Sequence, residues 1–230
     1  MSSTIQTLLP FMRRLATIAS VDRQGRLRLP PERALATQFD MQRSRMREYL
    51  ATLEHLGFIQ RTQGRGTFLQ MPNPDFLQLY FDLALQLNYV SVESLESARE
   101  MLEREIVQSA AAQVRPNDIA HLRYLGDRIK APKDIEDGIS ADYEFHEHLA
   151  WMTGNPIIVM LIQGLASVLR QVLFHRRVLV RGNTNAAEQT NATHDAIIYA
   201  LEAGDPEAAR EAMQRHFQVW NEQSIAIQAN

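Results

Sequence analysis

The sequence predicts a mostly α-helical protein in two parts, of which the smaller, N-terminal part ends in a β-hairpin. Up to residue 71, two short helical patterns are followed by two β-prone segments. Beyond residue 74, apolar residues recur at helical spacing and no strand-like alternation follows. Prolines on both sides of Asn73 break both patterns. We therefore expect one domain at residues 1–71, a linker at 72–74 and a second domain at 75–230.

The N-terminal part carries the pattern of two helices, a tight turn and a hairpin within residues 29–69. The second of these helices has an apolar face at helical spacing, made of Met46, Tyr49, Leu50 and Leu53. Gly64 and Gly66 supply the unusual backbone angles of a hairpin tip between the β-prone segments 58–62 and 67–69. This order of elements predicts a winged helix-turn-helix, in which the second helix enters the major groove of DNA.

The charge of the chain is divided unevenly between the two parts. Residues 1–70 contain 11 arginines against 5 Asp and Glu, whereas residues 71–230 contain 13 Lys and Arg against 22 Asp and Glu. A basic head on an acidic body is typical of a chain in which one part alone meets nucleic-acid phosphates. Arg43 and Arg47 lie one turn apart, so both can reach one groove, where arginine pairs with guanine edges. The alternative is a solvated arginine face on an ordinary helical subdomain.

The second part predicts an antiparallel bundle made only of helices. The helical patterns cover residues 75–87, about 91–114, 117–130, 139–153, 156–181, 184–203 and 206–226. Asn155-Pro156 and Asp205-Pro206 each combine an N-cap with a proline in the first turn of a helix. Breaks between helices are expected at four glycines, Gly138, Gly154, Gly182 and Gly204.

A set of potential metal ligands lies within the predicted bundle. Asp142 and His146 are four residues apart and share one helical face, whereas His148 points elsewhere and is excluded. His194 and His216 lie in the last two predicted helices. One carboxylate and three imidazoles from three helices would form a site for a divalent transition metal, and Zn, Ni, Mn and Fe all accept these ligands. The alternative is that the histidines only form hydrogen bonds inside a polar bundle.

Arg99 is predicted to point into the bundle. Its neighbours Leu95, Leu102 and Ile106 stand at minus four, plus three and plus seven, so its side chain lies along the apolar stripe. An arginine directed inward must find an anion. Glu103, one turn away, is one such partner and a ligand carboxylate is the other, and the two roles are compatible.

Four segments of the N-terminal part resemble the conserved pattern of the GntR family of bacterial regulators. The matching residues are Leu29–Ala36, Met41–Leu50, Leu53–Phe58 and Gly64–Phe68. The resemblance implies DNA contacts by Arg33, Arg43 and Arg47 and entry of the wing tip around Gly64 into the minor groove. With the arginines next to these positions, the predicted DNA-contacting residues are Arg33, Arg43, Arg45, Arg47, Gly64 and Arg65.

Residues 91–226 resemble the FCD ligand-binding domain of the FadR-like branch of the same family. Its signature is matched by Asp142, His146, Gly154-Asn155, His194 and His216, and Arg99 and Glu103 match a second motif. The resemblance implies that the Asp and three His residues bind a divalent metal. It also implies a small organic acid effector, for which we expect contacts with Arg99 and, more weakly, Asn155. Responders to fatty-acyl-CoA in this branch lack the metal tetrad, so its presence argues against a CoA thioester.

Together these observations predict a ligand-responsive transcriptional regulator that binds double-stranded operator DNA, most often as a repressor in this family. A homodimer is expected because inverted half-sites demand two heads related by a two-fold axis. One alternative is a metal-dependent hydrolase or isomerase, for which Glu147 and Tyr143 stand near the site in sequence but on other helical faces. Another is a pure metal sensor.

The remaining sequence features predict a cytoplasmic protein without a membrane partner. The chain has no cysteine, so neither disulfides nor thiolate metal ligands are possible. The apolar stretch from Ile5 to Phe11 is short and leads into Arg13 and Arg14, unlike a signal peptide. No run approaches the roughly 20 apolar residues that a membrane-spanning helix needs.

Overall fold

The computed structural model describes residues 3–179 and 184–228, which divide into two compact units between Phe76 and Leu77. The first unit consists of α1 (Ser3–Ile18), β1 (Ser20–Val21), β2 (Leu27–Arg28), α2 (Glu32–Gln38), α3 (Arg43–His55), β3 (Ile59–Thr62) and β4 (Gly66–Leu69). The predicted helix-turn-helix and hairpin are therefore present. The sequence patterns had missed the two short strands β1 and β2.

The core of the first unit lies between its three helices and one face of its sheet. Five of its fully buried side chains are Leu15, Leu35, Met46, Leu50 and Ile59, which come from α1, α2, α3 and β3. The sheet is antiparallel with the order β1-β2-β4-β3, and β3 pairs with β4 from Ile59↔Leu69 to Thr62↔Gly66. This arrangement places the hairpin beside α3, the second helix of the helix-turn-helix, as the winged helix-turn-helix prediction requires.

The hairpin tip depends on its two glycines. Gly64 and Gly66 have φ values of 73° and 119°, in the region where a side chain is strained. A Cβ at Gly66 would also lie 3.0 Å from Nε of Arg28 on the neighbouring strand. Both positions of the tip therefore favour glycine.

The described residues of the second unit are helical and loop residues only, which agrees with the predicted all-helical bundle. Its helices are α4 (Asp75–Gln86), α5 (Val92–Ala111), α6 (Pro116–Lys130), α7 (Ile135–Met152), α8 (Pro156–Gly164), α9 (Ala166–Leu179), α10 (Thr184–Glu202) and α11 (Pro206–Gln228). Its core lies mainly between α5, α6, α7, α10 and α11, where Leu122, Phe145, Leu149, Ile197 and Met213 are fully buried.

Two sequence-based boundaries in the second unit were wrong. The helix predicted over 139–153 begins at Ile135, because Oδ1 of Asp134 caps it by accepting a hydrogen bond from the backbone of Asp137. Gly138 consequently lies inside α7 and not in a break. The helix predicted over 156–181 is divided at Leu165 into α8 and α9, which meet at 47°. The predicted end of that helix and the break at Gly182 lie outside the described residues.

In the described part of the chain, no single helix is long and apolar enough to cross a membrane. The bent pair of α8 and the first part of α9 passes the same test of length and composition when the two are taken together.

Candidate functional site

Three histidines from three helices meet inside the second unit. His146 of α7, His194 of α10 and His216 of α11 each offer a ring nitrogen, and these three atoms lie within 4.8 Å of one another. Their exposed fractions are 0%, 0% and 5%. Asp142 lies one turn before His146, and its Oδ1 is 3.4 Å from Nε2 of His146. The structure thus brings together the three histidines that the sequence had grouped as metal ligands and places Asp142, the fourth, beside His146.

The hydrogen bonds of the three rings determine which nitrogen faces the cluster. Nδ1 of His194 lies 3.1 Å from the backbone oxygen of Thr190, which can only accept, so this nitrogen must donate. Nδ1 of His216 is 2.9 Å from Oγ1 of Thr193, whose own proton is donated to the oxygen of Thr190 at 2.7 Å. This nitrogen must therefore donate as well. The lone pairs of both rings are consequently on Nε2.

His146 is oriented in the same way by a carboxylate. Its Nδ1 donates to Oε2 of Glu103, a side chain that is 1% exposed. Nε2 of His146 and of His194 and Oδ1 of Asp142 are buried, and none has a hydrogen-bond partner within the described residues. Buried polar atoms without partners are rare in proteins. Imidazoles held through Nδ1, with Nε2 left over, have the usual geometry of oriented metal ligands, so the residues fit a divalent ion.

The electrostatics of the cluster favour neutral rings at His194 and His216 and an ionised carboxylate at Asp142. Burial lowers the pKa of His194 and holds that of His216 well below its ordinary value, so both rings are neutral at pH 7. Burial opposes ionisation of Asp142, but its close contact with His146 and the positive charge of Arg177 help to hold its pKa well below the usual range. Burial opposes protonation of His146, but Glu103 and Asp142 together outweigh burial, so the pKa of His146 is raised.

Arg99 is buried beside the cluster, with an exposed fraction of 2%. Its Nε donates to Oε1 of Glu103 at 2.6 Å, its Nη1 donates to Oε1 of Glu96 at 3.0 Å, and its Cζ lies 4.9 Å from the ring centroid of Phe217. Despite burial, the charges of His146 and Arg99 lower the pKa of Glu103 to about 2. Nη2 of Arg99 is buried and, among the described residues, has no hydrogen-bond partner. The protein partner expected from the sequence is present, and it leaves this donor of the guanidinium unsatisfied.

Asn155 does not share this environment. It is exposed at the start of α8, where its Oδ1 caps the helix by accepting a hydrogen bond from the backbone of Ile157 at 3.0 Å. The carbonyl oxygen of the side chain is thus already used, and we do not retain Asn155 as an effector contact. His148, which the sequence had excluded from the metal site, lies with Nε2 3.4 Å from Oδ1 of Asp118.

Several residues of the site were not found from the sequence. Glu103 was expected to hold Arg99, but its contact with His146 joins helices 43 residues apart and leaves no local signal. Thr190, one turn before His194, was overlooked because threonine is common in helices of mixed polarity. Arg177 was also missed: its Nη2 lies 3.8 Å from Oδ2 of Asp142.

The predicted DNA-contacting arginines are exposed on the first unit: Arg33, Arg43, Arg45, Arg47 and Arg65. Nη2 of Arg47 is 3.1 Å and Nη2 of Arg43 is 3.8 Å from Oε1 of Glu32 on α2. The hydrogen bond from Arg47 lowers the pKa of Glu32, which is therefore ionised at neutral pH. The two arginine side chains remain 63% and 62% exposed, so the shared carboxylate aligns them without covering them.

The other predicted contacts lie around this pair. Cζ of Arg45 is 5.8 Å from the ring centroid of Tyr49, which keeps the guanidinium on the surface of α3. Gly64 and Arg65 form the exposed tip of the wing. Nη2 of Arg61 on β3 donates to the backbone oxygen of Arg47 at 3.4 Å and so connects the wing to α3. A helix and a hairpin that both offer arginines have the geometry needed to contact a groove and its phosphates.

Comparison with known proteins identifies both units. Residues 23–69 match the family of bacterial regulatory proteins called the gntR family, and residues 94–219 match the FCD domain. Among solved structures, the chain is similar to the GntR protein of Streptococcus agalactiae, with a TM-score of 0.67, 23% identity and coverage of 94% of this chain and 96% of that one. This likeness supports the fold.

The relatives named here are regulators of transcription. LutR of Bacillus subtilis is 28% identical over 82% of this chain and 87% of its own length. The Exu regulon transcriptional regulator of Escherichia coli is 26% identical over 83% and 73%, and the putative L-lactate dehydrogenase operon regulatory protein of the same species is 28% identical over 87% and 79%. The alternative of a metal-dependent enzyme is therefore set aside. The chain belongs to the GntR family of bacterial transcriptional regulators, in the group that carries an FCD domain.

Proposed function

We propose that the FCD domain of this regulator binds one divalent transition metal and a small organic acid, and that the acid changes how the chain binds its operator. The observation that carries this proposal is the orientation of three buried imidazoles. Each uses Nδ1 for a hydrogen bond to the protein, which leaves three Nε2 atoms and the carboxylate of Asp142 for an ion.

The metal ligands would be Asp142, His146, His194 and His216. A divalent ion held there would supply a Lewis-acidic point for an oxygen of the effector. Because imidazole and carboxylate suit Zn, Ni, Mn and Fe alike, the ligand set leaves the identity of the metal open. Oδ1 of Asp142 and Nε2 of His146 and His194 are buried and have no hydrogen-bond partner among the described residues. Buried polar atoms without partners are rare in proteins, so these atoms support a role as metal ligands.

The effector would be an acid because Arg99 has a buried donor to satisfy. Nη2 of Arg99, within the described part of the protein, has no acceptor. A carboxylate oxygen is the strongest acceptor for a guanidinium, and this contact is worth more inside a bundle than in water. One relative is named for an L-lactate dehydrogenase operon, which makes small hydroxy acids suitable first probes.

The winged helix-turn-helix, at residues 1–71, would contact double-stranded DNA through α3 and the wing, with residues 72–74 linking it to the effector domain at residues 75–230. Arg43 and Arg47, aligned by Glu32, would lie in the major groove, Arg33 and Arg45 would contact the groove or its phosphates, and Gly64 and Arg65 would enter the minor groove. We infer a homodimer on inverted half-sites, acting as a repressor from a cytoplasmic location.

The proposal is tested by measuring operator binding with metal and acid varied independently. Duplex DNA selected by the protein from a random pool is labelled, and anisotropy is recorded for metal-free protein, metal-loaded protein, and metal-loaded protein with a panel of organic acids. We expect one or more acids to change DNA affinity only when metal is present. If metal alone produces the full change, the protein is a metal sensor. If metal-free protein responds equally to the acids, the histidine cluster is not the effector site.

A further inference from the structure

We propose that Arg177 recognises a second carboxylate of the effector, so that the regulator responds to dicarboxylic acids in preference to the matching monocarboxylic acids. This inference rests on the proposed function, because it concerns the same metal and effector site. It names the chemical class of the acid and the residue that selects it.

Arg177 is placed against the metal-ligand helix by a glycine. Nη2 of Arg177, on α9, donates to the backbone oxygen of Gly138 at 2.9 Å and lies 3.8 Å from Oδ2 of Asp142. A Cβ at Gly138 would lie 2.5 Å from Cζ and from Nη1 of Arg177. Glycine is unfavourable inside a helix, yet here it makes room for the guanidinium one turn before Asp142. The backbone oxygen of Gly138 and the space above this glycine therefore determine where the guanidinium of Arg177 lies.

The pairing of Arg177 with the protein is incomplete. A separation of 3.8 Å from Asp142 is an ion-pair contact and too long for a hydrogen bond. Nε of Arg177 is buried and, among the residues described, has no acceptor. The side chain is 19% exposed, so it lies at the edge of the buried region. An uncompensated guanidinium donor costs free energy, which a ligand oxygen would recover.

Two arginines that each have an unsatisfied donor thus lie near different members of the proposed ligand pair on α7, Asp142 and His146. Arg177 contacts the turn that carries Gly138 and Asp142, whereas Arg99 reaches His146 through Glu103. Asp142 and His146 are four positions apart on the helix, a rise of about 6 Å. We therefore expect a short acid with a carboxylate at each end to contact both guanidiniums, whereas a monocarboxylate would contact one.

The charges around the site favour an acid as the ligand. Arg99 is paired with Glu103 and Glu96, and Arg177 lies in ion-pair contact with Asp142. A divalent ion would add two positive charges, so the two arginines, three carboxylates and the ion would carry a net positive charge for an acid to neutralise. The preference for a diacid follows from the two unsatisfied guanidinium donors.

The test compares acids that differ only by one carboxylate. Isothermal titration calorimetry on the metal-loaded full-length protein uses L-lactate against L-malate and propionate against succinate. We expect each diacid to bind roughly tenfold or more tightly than its monoacid, the effect of one additional charge-assisted contact. In Arg177→Gln that ratio should approach one, while the affinity for the monoacid stays within about twofold. Arg177→Lys keeps the charge and should give an intermediate ratio.

Arg170→Gln is the matched control. Arg170 also extends from α9 to α7, where its Nη1 lies 3.2 Å from Oε1 of Glu136, and its side chain is 42% exposed. Its removal should leave the ratio of diacid to monoacid affinity unchanged. Metal content and the far-UV circular dichroism spectrum are recorded for every variant. If Arg177→Gln does not fold, the comparison of Arg177→Lys with Arg170→Lys decides the question.

The outcomes separate this inference from the proposed function. Equal weakening of both acids in Arg177→Gln, or loss of the metal, would mean that Arg177 only positions Asp142, and would overturn the inference. Wild-type protein that binds monoacids as tightly as diacids would overturn it while the proposed effector site stands. If neither class of acid binds the metal-loaded protein, the proposed function falls together with the inference.

Discussion

Arg99 and His146 are joined by a single buried carboxylate. Glu103 accepts a hydrogen bond from Nε of Arg99 through one oxygen and from Nδ1 of His146 through the other, and all three side chains are at most 2% exposed. The residue that we expect to hold the effector is therefore one side chain away from a residue that we expect to hold the metal. A change in the position of Arg99 would be transmitted directly to the ring of His146.

We predict that Glu103→Gln weakens metal binding roughly 10- to 100-fold, because His146 loses the carboxylate that orients it. The metal-free variant should also be less stable by about 3–5 kcal/mol, since Arg99 is left buried without its nearest counter-charge. Competition with a fluorescent chelator and unfolding in urea measure the two effects. Glu96→Gln is the control, because Glu96 also contacts Arg99 but is partly exposed. Equal effects of the two substitutions would contradict the bridging role of Glu103.

We predict that Arg43→Ala and Arg47→Ala each weaken operator binding by about 1–3 kcal/mol if they pair with base edges. Fluorescence anisotropy gives the affinity, and circular dichroism checks that the helices persist. Arg23→Ala, which removes an exposed arginine of the same unit outside α2, α3 and the wing, serves as the control. Unchanged affinity in the double variant of Arg43 and Arg47 would show that α3 does not read the DNA.

Glu32→Gln should reduce the specificity of DNA binding. Glu32 aligns both Arg43 and Arg47, and its ionised carboxylate repels phosphates when the arginines are displaced from it. We expect affinity for random DNA to rise and the ratio of operator to random-DNA affinity to fall. Both are measured at a single salt concentration, because phosphate contacts depend strongly on salt. A ratio that stays the same would show that Glu32 does not position the arginines on DNA.

Gly138→Ala should leave the fold stable and displace Arg177. Alanine is favoured over glycine inside a helix by about 1 kcal/mol, but its Cβ would overlap the guanidinium of Arg177, the movable end of a long side chain. We expect unfolding free energy within about 1 kcal/mol of the wild type. We also expect a loss of diacid preference similar to that of Arg177→Gln. Retained preference would show that the guanidinium does not need the space above Gly138.

The sequence predicted the elements that local patterns determine. The apolar face of α3 and the glycines of the wing predicted the winged helix-turn-helix, and the spacing of Asp142 and His146 placed two of the proposed ligands on one face. What it could not predict depends on packing between distant segments. The start of α7 at Ile135, the division at Leu165 and the reach of Arg177 onto Gly138 are of this kind. By contrast, the N-cap role of Asn155 could be predicted, because it follows from the local sequence Asn155-Pro156 alone.

The metal content of single histidine variants tests the central claim most directly. Protein purified without chelator and dialysed against metal-free buffer is assayed by elemental analysis, beside His194→Ala and His148→Ala. His148 is the matched control because it lies on α7 two residues after His146 and contacts Asp118 instead of the cluster. We predict about one equivalent of a divalent metal per chain in the wild type and in His148→Ala, and a loss in His194→Ala. Stoichiometric metal that survives in His194→Ala but not in His148→Ala would contradict the account.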